Sequence, residues 1–493
     1  MRYIVTALLR TILTGVAASV PPASAPAAAP ITPPLSSPSP FVASVLLPGD
    51  VGTAVVKVDP YAARVVVLTG SRHRFLSTLD GRDGHLVQHV ALGGPVDACC
   101  LGFDVVPGRA IVVSQRASAT IATLYDDRSL AVLGTARVSA YATSIRVDAA
   151  RQRLLVLNGT PQNKGFPADN ATINTVSMVD LSAQPPTAHP RRLVTRGLFS
   201  GGKDVVVQMS LDAATGNLVL ITDHGREYRV LLVDPASGTV LHTSVVPYAS
   251  DLTVTLASSY AFAHQYPPVS WVFPRLRRIF ARFGHTLAVI DADNGRVVGS
   301  RAVRHAVGSL MADERAGRVF GIAAATGDET AAPPRRVDVF DGRTGDLIAS
   351  TVTRGDIQTF DQPAPSVGSP AAGVVDVLTG RFFVPTIDPV SLVSGVEVFD
   401  ARTGALTRHI GLDGVPTLIV DARASRVLAL RAPVGSGSNA LSVLDASTGA
   451  VVATYPRGGY GFGVTTTAVD ENAHRAYAVD GENKFVVLRT VPS

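Results

Sequence analysis

The chain has 493 residues, of which 46% are hydrophobic and 17% charged, so it can bury a large core and is not a disordered polymer. A net charge of +5 and a pI near 9.3 are mild for this length. With no RNP-type aromatic cluster, zinc finger or long basic tract, nucleic acid is not an expected partner.

The N-terminus orders three features. MRYIVTALLR carries Arg2 and Arg10, TILTGVAASV is apolar, and PPASAPAAAP supplies small residues around Ala23-Ser24-Ala25. That order is the pattern of a secretory signal peptide, read over 1–25 with a single N-terminal anchor as the alternative. Residues 21–40 hold eight prolines, so 26–40 reads as a Pro/Ala/Ser linker. The expected location is extracytoplasmic: periplasmic, secreted or tethered by the N-terminus.

From residue 41 onward, glycine (44) and proline (33) punctuate short runs rich in Val, Ile, Thr and Leu. Eight times an Asp is followed five residues later by Arg or, once, Asn. The pairs are Asp59/Arg64, Asp104/Arg109, Asp148/Arg153, Asp212/Asn217, Asp313/Arg318, Asp376/Arg381, Asp421/Arg426 and Asp470/Arg475, mostly 44 to 64 residues apart. Each pair joins two apolar runs, as in VDPYAARVVVL and VDARASRVLAL. Two more runs follow, joined by Asp-x-x-x-Gly, for example Asp80 to Gly84, Asp400 to Gly404 and Asp445 to Gly449. Four-stranded units repeated in tandem predict an all-β single β-propeller over 41–493. Call the strands of a unit A to D. The eight pairs plus an unmarked hairpin at 254–264 predict nine blades, with eight if a weak unit is misread. The last unit lacks strand D, and 41–49 is expected to supply it and close the ring.

In both turns an Asp side chain can accept backbone amides two residues on, and Gly supplies the positive φ that closes the second. The Arg opening strand B is expected to reach back to the Asp of its own turn. The A–B and C–D turns then share one end of the ring, and the B–C and D–A connections share the other. All long segments fall at that other end: 158–175, 263–285, 323–336, 354–373 and 385–395. Binding residues belong on loops held by a rigid scaffold, so this long-loop face is the functional candidate.

Units such as VEVFDARTGALTRHIGLDGVPTLIVDARASRVLAL resemble the YncE/YVTN-type, quinoprotein-like β-propeller family of exported bacterial proteins, over roughly 41–493. The Tyr-Val-Thr-Asn signature itself is absent; VVVLTG, LLVLNG and AYAVDG stand in its places. The resemblance implies an exported binding or scaffolding propeller without fixed chemistry.

Cys99 and Cys100 are the only cysteines, and alignment puts them at the start of strand A of the second unit, near the mouth of the axial channel. They read either as packed thiols or as a vicinal disulfide, the latter being the form that faces the quinone in propeller alcohol dehydrogenases. Asp97 lies beside them. The segment 270–284 predicts a short basic helix within an insert at 264–284: Leu276, Ile279, Phe280 and Phe283 keep helical spacing among Arg275, Arg277, Arg278 and Arg282. With Trp271 it offers a partner surface, and 274–283 a membrane-surface contact. His73, His224, His264 and His305 fall on the long-loop face, with Asp223 beside His224. No spacing marks a metal site or a catalytic elbow.

The expected function is an exported binding scaffold that recognises a protein, glycan or surface ligand. Its candidate binding residues are His73, Asp97, Cys99, Cys100, Asp223, His224, His264, Trp271, Arg275, Arg278 and His305. No catalytic or metal residues are assigned, no cofactor is expected, and a monomer is. The alternative is an enzyme using the channel, either a quinone-dependent (PQQ-type) oxidoreductase or a lyase or lactonase assisted by a divalent metal.

Overall fold

A computed structural model describes residues 39–491 apart from 50–53, 60, 71–73, 93–101, 117–118, 140–141, 159–174, 184, 193–204, 224–226, 248–268, 284–285, 304–306, 324–335, 358–372, 389–393, 433–438, 458–465 and 481. The segments expected as leader and most of that expected as linker therefore lie outside the described residues.

The described strands form nine antiparallel sheets in a ring, a nine-bladed β-propeller, and no α-helix occurs among them. The innermost strands A of blades 1 to 4 are Val55–Asp59, Gly102–Val106, Ala142–Asp148 and Val205–Leu211. Those of blades 5, 6, 8 and 9 are Val269–Phe273, Val307–Asp313, Val415–Asp421 and Thr466–Asp470. Blade 9 takes its outer strand from the other end of the chain. Phe41–Leu46 runs antiparallel to Lys484–Arg489, and Arg489 N donates to Pro40 O at 2.7 Å. The edge that the C-terminal unit alone would expose is thus covered.

The core lies between blades rather than within one. Nine buried apolar clusters match the nine blade junctions, from Val106, Ile111 and Leu154 between blades 2 and 3 to Val56, Tyr477 and Phe485 between blades 9 and 1. Count positions back from the residue at the A–B turn that lies opposite the start of strand B, which in blade 4 is Asp212, bonded through its N to Asn217 O. One position back is apolar in every blade (Val58, Val105, Val147, Leu211, Val272, Ala312, Val375, Val420, Val469), and it packs toward the preceding blade. Two back points the other way, because side chains alternate along a strand.

The C–D turns form as the sequence predicts. The carboxylates of Asp80, Asp234, Asp291, Asp341, Asp400 and Asp445 accept the amide two residues on, at 2.8 to 3.1 Å. Gly84, Gly238, Gly295, Gly345, Gly404 and Gly449 take positive φ. The A–B turns differ from expectation in one respect. The Asp does cap its own turn, but only Arg153 returns to it, 3.0 Å from Asp148. In other blades the strand B Arg crosses to the Asp ending strand C: Arg64 to Asp80, Arg278 to Asp291, Arg318 to Asp341, Arg381 to Asp400 and Arg426 to Asp445, at 2.8 to 3.5 Å. Register permits this, because each Arg lies directly opposite that Asp in the B–C ladder; Arg153 has the same place opposite Asp180 but turns to Asp148 instead. Asp104/Arg109 is not a turn pair at all. The Pro107-Gly108 turn is two residues long and pairs Arg109 with Val106, leaving Asp104 two places up strand A.

The predicted basic helix is corrected too. Val269–Phe273 and Arg278–Phe283 are strands A and B of blade 5. Strand B is sandwiched between neighbouring blades and buried on both faces, so Ile279, Phe280, Ala281 and Phe283 show no in–out alternation and their spacing imitates a helix. The ninth hairpin is therefore 269–283; the expected 254–264 lies outside the described residues. Phe273 holds the place of the turn Asp, five residues before Arg278, and Arg277 takes the positive φ found just before strand B in eight blades and, in blade 4, two residues before it at Gly216.

Blade 7 is the irregular one. Its strand A comes in two pieces, Asp356–Ile357 and Val374–Asp376, which pair with opposite ends of Arg381–Ile387. The segment expected as a D–A loop at 354–373 instead leaves and rejoins the innermost strand.

Candidate functional site

The turn face uses its polar groups internally. Buried turn carboxylates reach across to the next blade: Asp59 Oδ2 accepts Gly108 N at 2.7 Å, and Asp421 Oδ2 accepts His474 Nδ1 at 3.0 Å together with the Thr490 hydroxyl. Both donors point at one carboxylate oxygen, so this is an inter-blade clamp rather than a nucleophile–base relay. In blade 5, which lacks the Asp, the neighbouring blade completes the turn. Glu314 Oε2 accepts the amides of Arg275 and Leu276 at 2.6 and 3.3 Å. Between blades 1 and 2 an Asp occupies a site held elsewhere by small residues such as Gly81, Ala292 and Gly342. Asp127 is buried there, and burial together with the hydrogen-bonded Asp59 carboxyl pushes its carboxyl up to about 7.

The inner wall is divided. At the position two back on strand A, blades 5 to 9 carry Trp271, Met311, Val374, Ile419 and Ala468, all packed on the following blade. Blades 1 to 4 carry Lys57, Asp104, Arg146 and Ser210 at the same position. Lys57 Nζ lies 3.3 Å from Asp104 Oδ1. Ser210 Oγ meets Ser270 Oγ at 2.8 Å, and Gln208 Oε1 accepts Ser270 N at 2.6 Å. Arg146 Nη1 donates to Ile145 O at 2.7 Å, and among the described residues it forms no ion pair. Burial holds its guanidinium below the usual arginine range.

A second polar group sits in blade 7. Glu397 is fully buried, and Oε1 accepts Arg354 N at 2.6 Å, pinning the crossover from blade 6. His409 Nδ1 lies 3.8 Å from the same oxygen, directly across the C–D ladder. Burial raises the carboxyl and lowers the imidazole, so both are pushed toward their neutral forms.

Of the residues singled out from the sequence, three are fully described, and they share one hairpin. Trp271 packs into the blade 5–6 core. Arg278 bonds Asp291 and, through Nε at 2.9 Å, the carbonyl of Arg343 in the next blade, which makes it a staple rather than a binding group. Arg275 is exposed on the turn face, with its amide held by Glu314. Asp223 ends strand B of blade 4 at the long-loop end. His73, Asp97, Cys99, Cys100, His224, His264 and His305 lie outside the described residues. Sequence reasoning missed the inner-wall group. Aligning the strand A positions of all nine units reveals it, since charged residues interrupt an otherwise apolar column.

No family model matches the chain, and no curated protein sequence does. Among solved structures it is similar to a eukaryotic initiation factor, at 10% identity over 85% of this chain and 90% of that one, with a TM-score of 0.50. It is also similar to BamB from Moraxella catarrhalis, at 12% identity over 91% and 99%, with a TM-score of 0.41. A third likeness is to the dihydro-heme d1 dehydrogenase NirN in complex with DHE, at 15% identity over 86% and 81%, with a TM-score of 0.47. At such identities the likeness concerns fold alone. The nine sheets described above make the chain a β-propeller.

Proposed function

We propose that this chain is an exported binding scaffold of the YncE/YVTN kind, holding a protein, glycan or surface ligand on its long-loop face. One observation carries the reading. The turn face is reduced to short turns whose Asp and Glu side chains are consumed in capping and inter-blade bonds, whereas the long connections 159–174, 193–204, 248–268 and 324–335 all leave from the opposite end. A rigid ring with one plain face and one elaborated face suits presentation of loops to a partner. The leader-like N-terminus supports export. A monomer fits a ring closed by its own N-terminal strand.

The test uses the chain from residue 39 and a variant in which 324–335 is replaced by a short Gly/Ser linker. Both are screened on a glycan array and against purified cell-envelope fractions. The expected outcome is saturable binding by the parent that the variant loses while keeping its Tm. Equal binding by both, or binding by neither, would overturn the assignment to this face.

A further inference from the structure

We infer that the inner wall of blades 1 to 3 is a binding site for a small anionic ligand, a carboxylate- or phosphate-bearing molecule, with Arg146 as its principal contact. The nine blades supply their own control. At one equivalent position of the innermost strand, five successive blades place Trp271, Met311, Val374, Ile419 and Ala468, so the fold needs nothing polar there. Three successive blades instead place Lys57, Asp104 and Arg146. Partial burial of a charge is unfavourable unless it is paired, and the fold offers an apolar solution that these blades forgo.

The arc is not self-neutralising. Lys57 and Asp104 pair at 3.3 Å, which leaves one positive charge on Arg146. Its described hydrogen bond goes to the Ile145 carbonyl, which uses Nη1 and supplies no counter-charge. The nearest acidic group on its own strand, Asp148, is already engaged by Arg153 and Arg151. A guanidinium presents a planar fork of donors suited to carboxylate or phosphate, and a half-buried one binds them more strongly than an exposed one. Asp104 limits the affinity through its own charge and by holding Lys57. The site lies on the walls of strands A, apart from the loop-borne surface proposed above, and neither depends on the other.

The experiment is a thermal-shift titration at low ionic strength with two probes, inorganic phosphate and citrate, against chloride at matched ionic strength. The wild-type chain is expected to show a saturable rise in Tm with at least one probe. A response to citrate alone indicates a carboxylate ligand, and one to phosphate alone a phosphate-bearing ligand. Arg146→Gln is expected to weaken the apparent affinity by about tenfold or more. Asp104→Asn removes the opposing charge, frees Lys57 and is expected to strengthen it severalfold. This second variant keeps the test decisive if the first folds poorly. No saturable shift beyond chloride overturns the inference, as does unchanged affinity in Arg146→Gln or affinity in Asp104→Asn no greater than wild type.

Discussion

Asp127 makes the stability of the ring depend on pH in an unusual direction. Asp59, Asp126 and Arg64 act electrostatically on its carboxyl, Gly108 accepts the Asp127 amide and donates its own to Asp59, and Thr78 Oγ1 donates to the Asp127 carbonyl at 2.5 Å. Its carboxyl is pushed up from 3.8 to about 7, by burial first and by Asp59 next. The folded chain therefore keeps a proton that the unfolded chain releases once pH exceeds about 4. Stability falls as pH rises from about 4 to 7 and levels off above that, opposite to the usual salt-bridged Asp. A shift of this size corresponds to about 4 kcal/mol. For a ring of this length about 1 kcal/mol moves Tm by about 1 °C. Asp127→Asn keeps a donor facing Asp59 without needing a proton. The variant is expected to melt about 3 to 4 °C above wild type at pH 8 and level with it near pH 4. Parallel melting curves for the two chains across pH 4 to 8, followed by circular dichroism, would refute the reasoning, as would a variant less stable at pH 8.

Two further predictions test how the ring is held. Removing residues 1–46 takes away the strand that pairs with Lys484–Arg489 and the packing of Phe41, Val42 and Ala43. Size-exclusion chromatography is expected to show self-association and the melt to move to lower temperature, whereas removal of 1–38 leaves both unchanged; identical behaviour of the two truncations would count against ring closure by this strand. Glu314→Ala strips the acceptor from two turn amides and is expected to cost about 1 to 2 kcal/mol. Glu314→Gln, which keeps an acceptor oxygen, should recover at least half of that in urea melts, and equal losses in both variants would remove the cross-blade cap.

Ring architecture was legible because its causes are local. Asp capping its own turn, Gly at positive φ and apolar runs bounded by such turns act within a dozen residues, so Asp445 to Gly449 reads the same in sequence and in space. Blade 5 was misread for a physical reason. A strand buried between two blades loses its polar face, and Arg278–Phe283 then carries no period-two pattern to set it apart from a helix. Phe273 concealed the turn further, because the carboxylate that caps it stands on another blade, at Glu314.

The sequence by itself determined the repeat, the closing role of 41–46 and the chemistry of the C–D turns, since each follows from residues near one another or from a missing strand; it left the count at nine or eight, and the structure made it nine. Only the tertiary structure decided which charges meet. Arg64 and Asp80 are joined by strand register, Asp59 and Gly108 by adjacency of blades, and Lys57 and Asp104 by the stacking of equivalent strands around one axis. Those pairings depend on how separate hairpins are placed against one another, and placement of that kind is fixed by packing across the blade junctions rather than by any residue's neighbours in the chain.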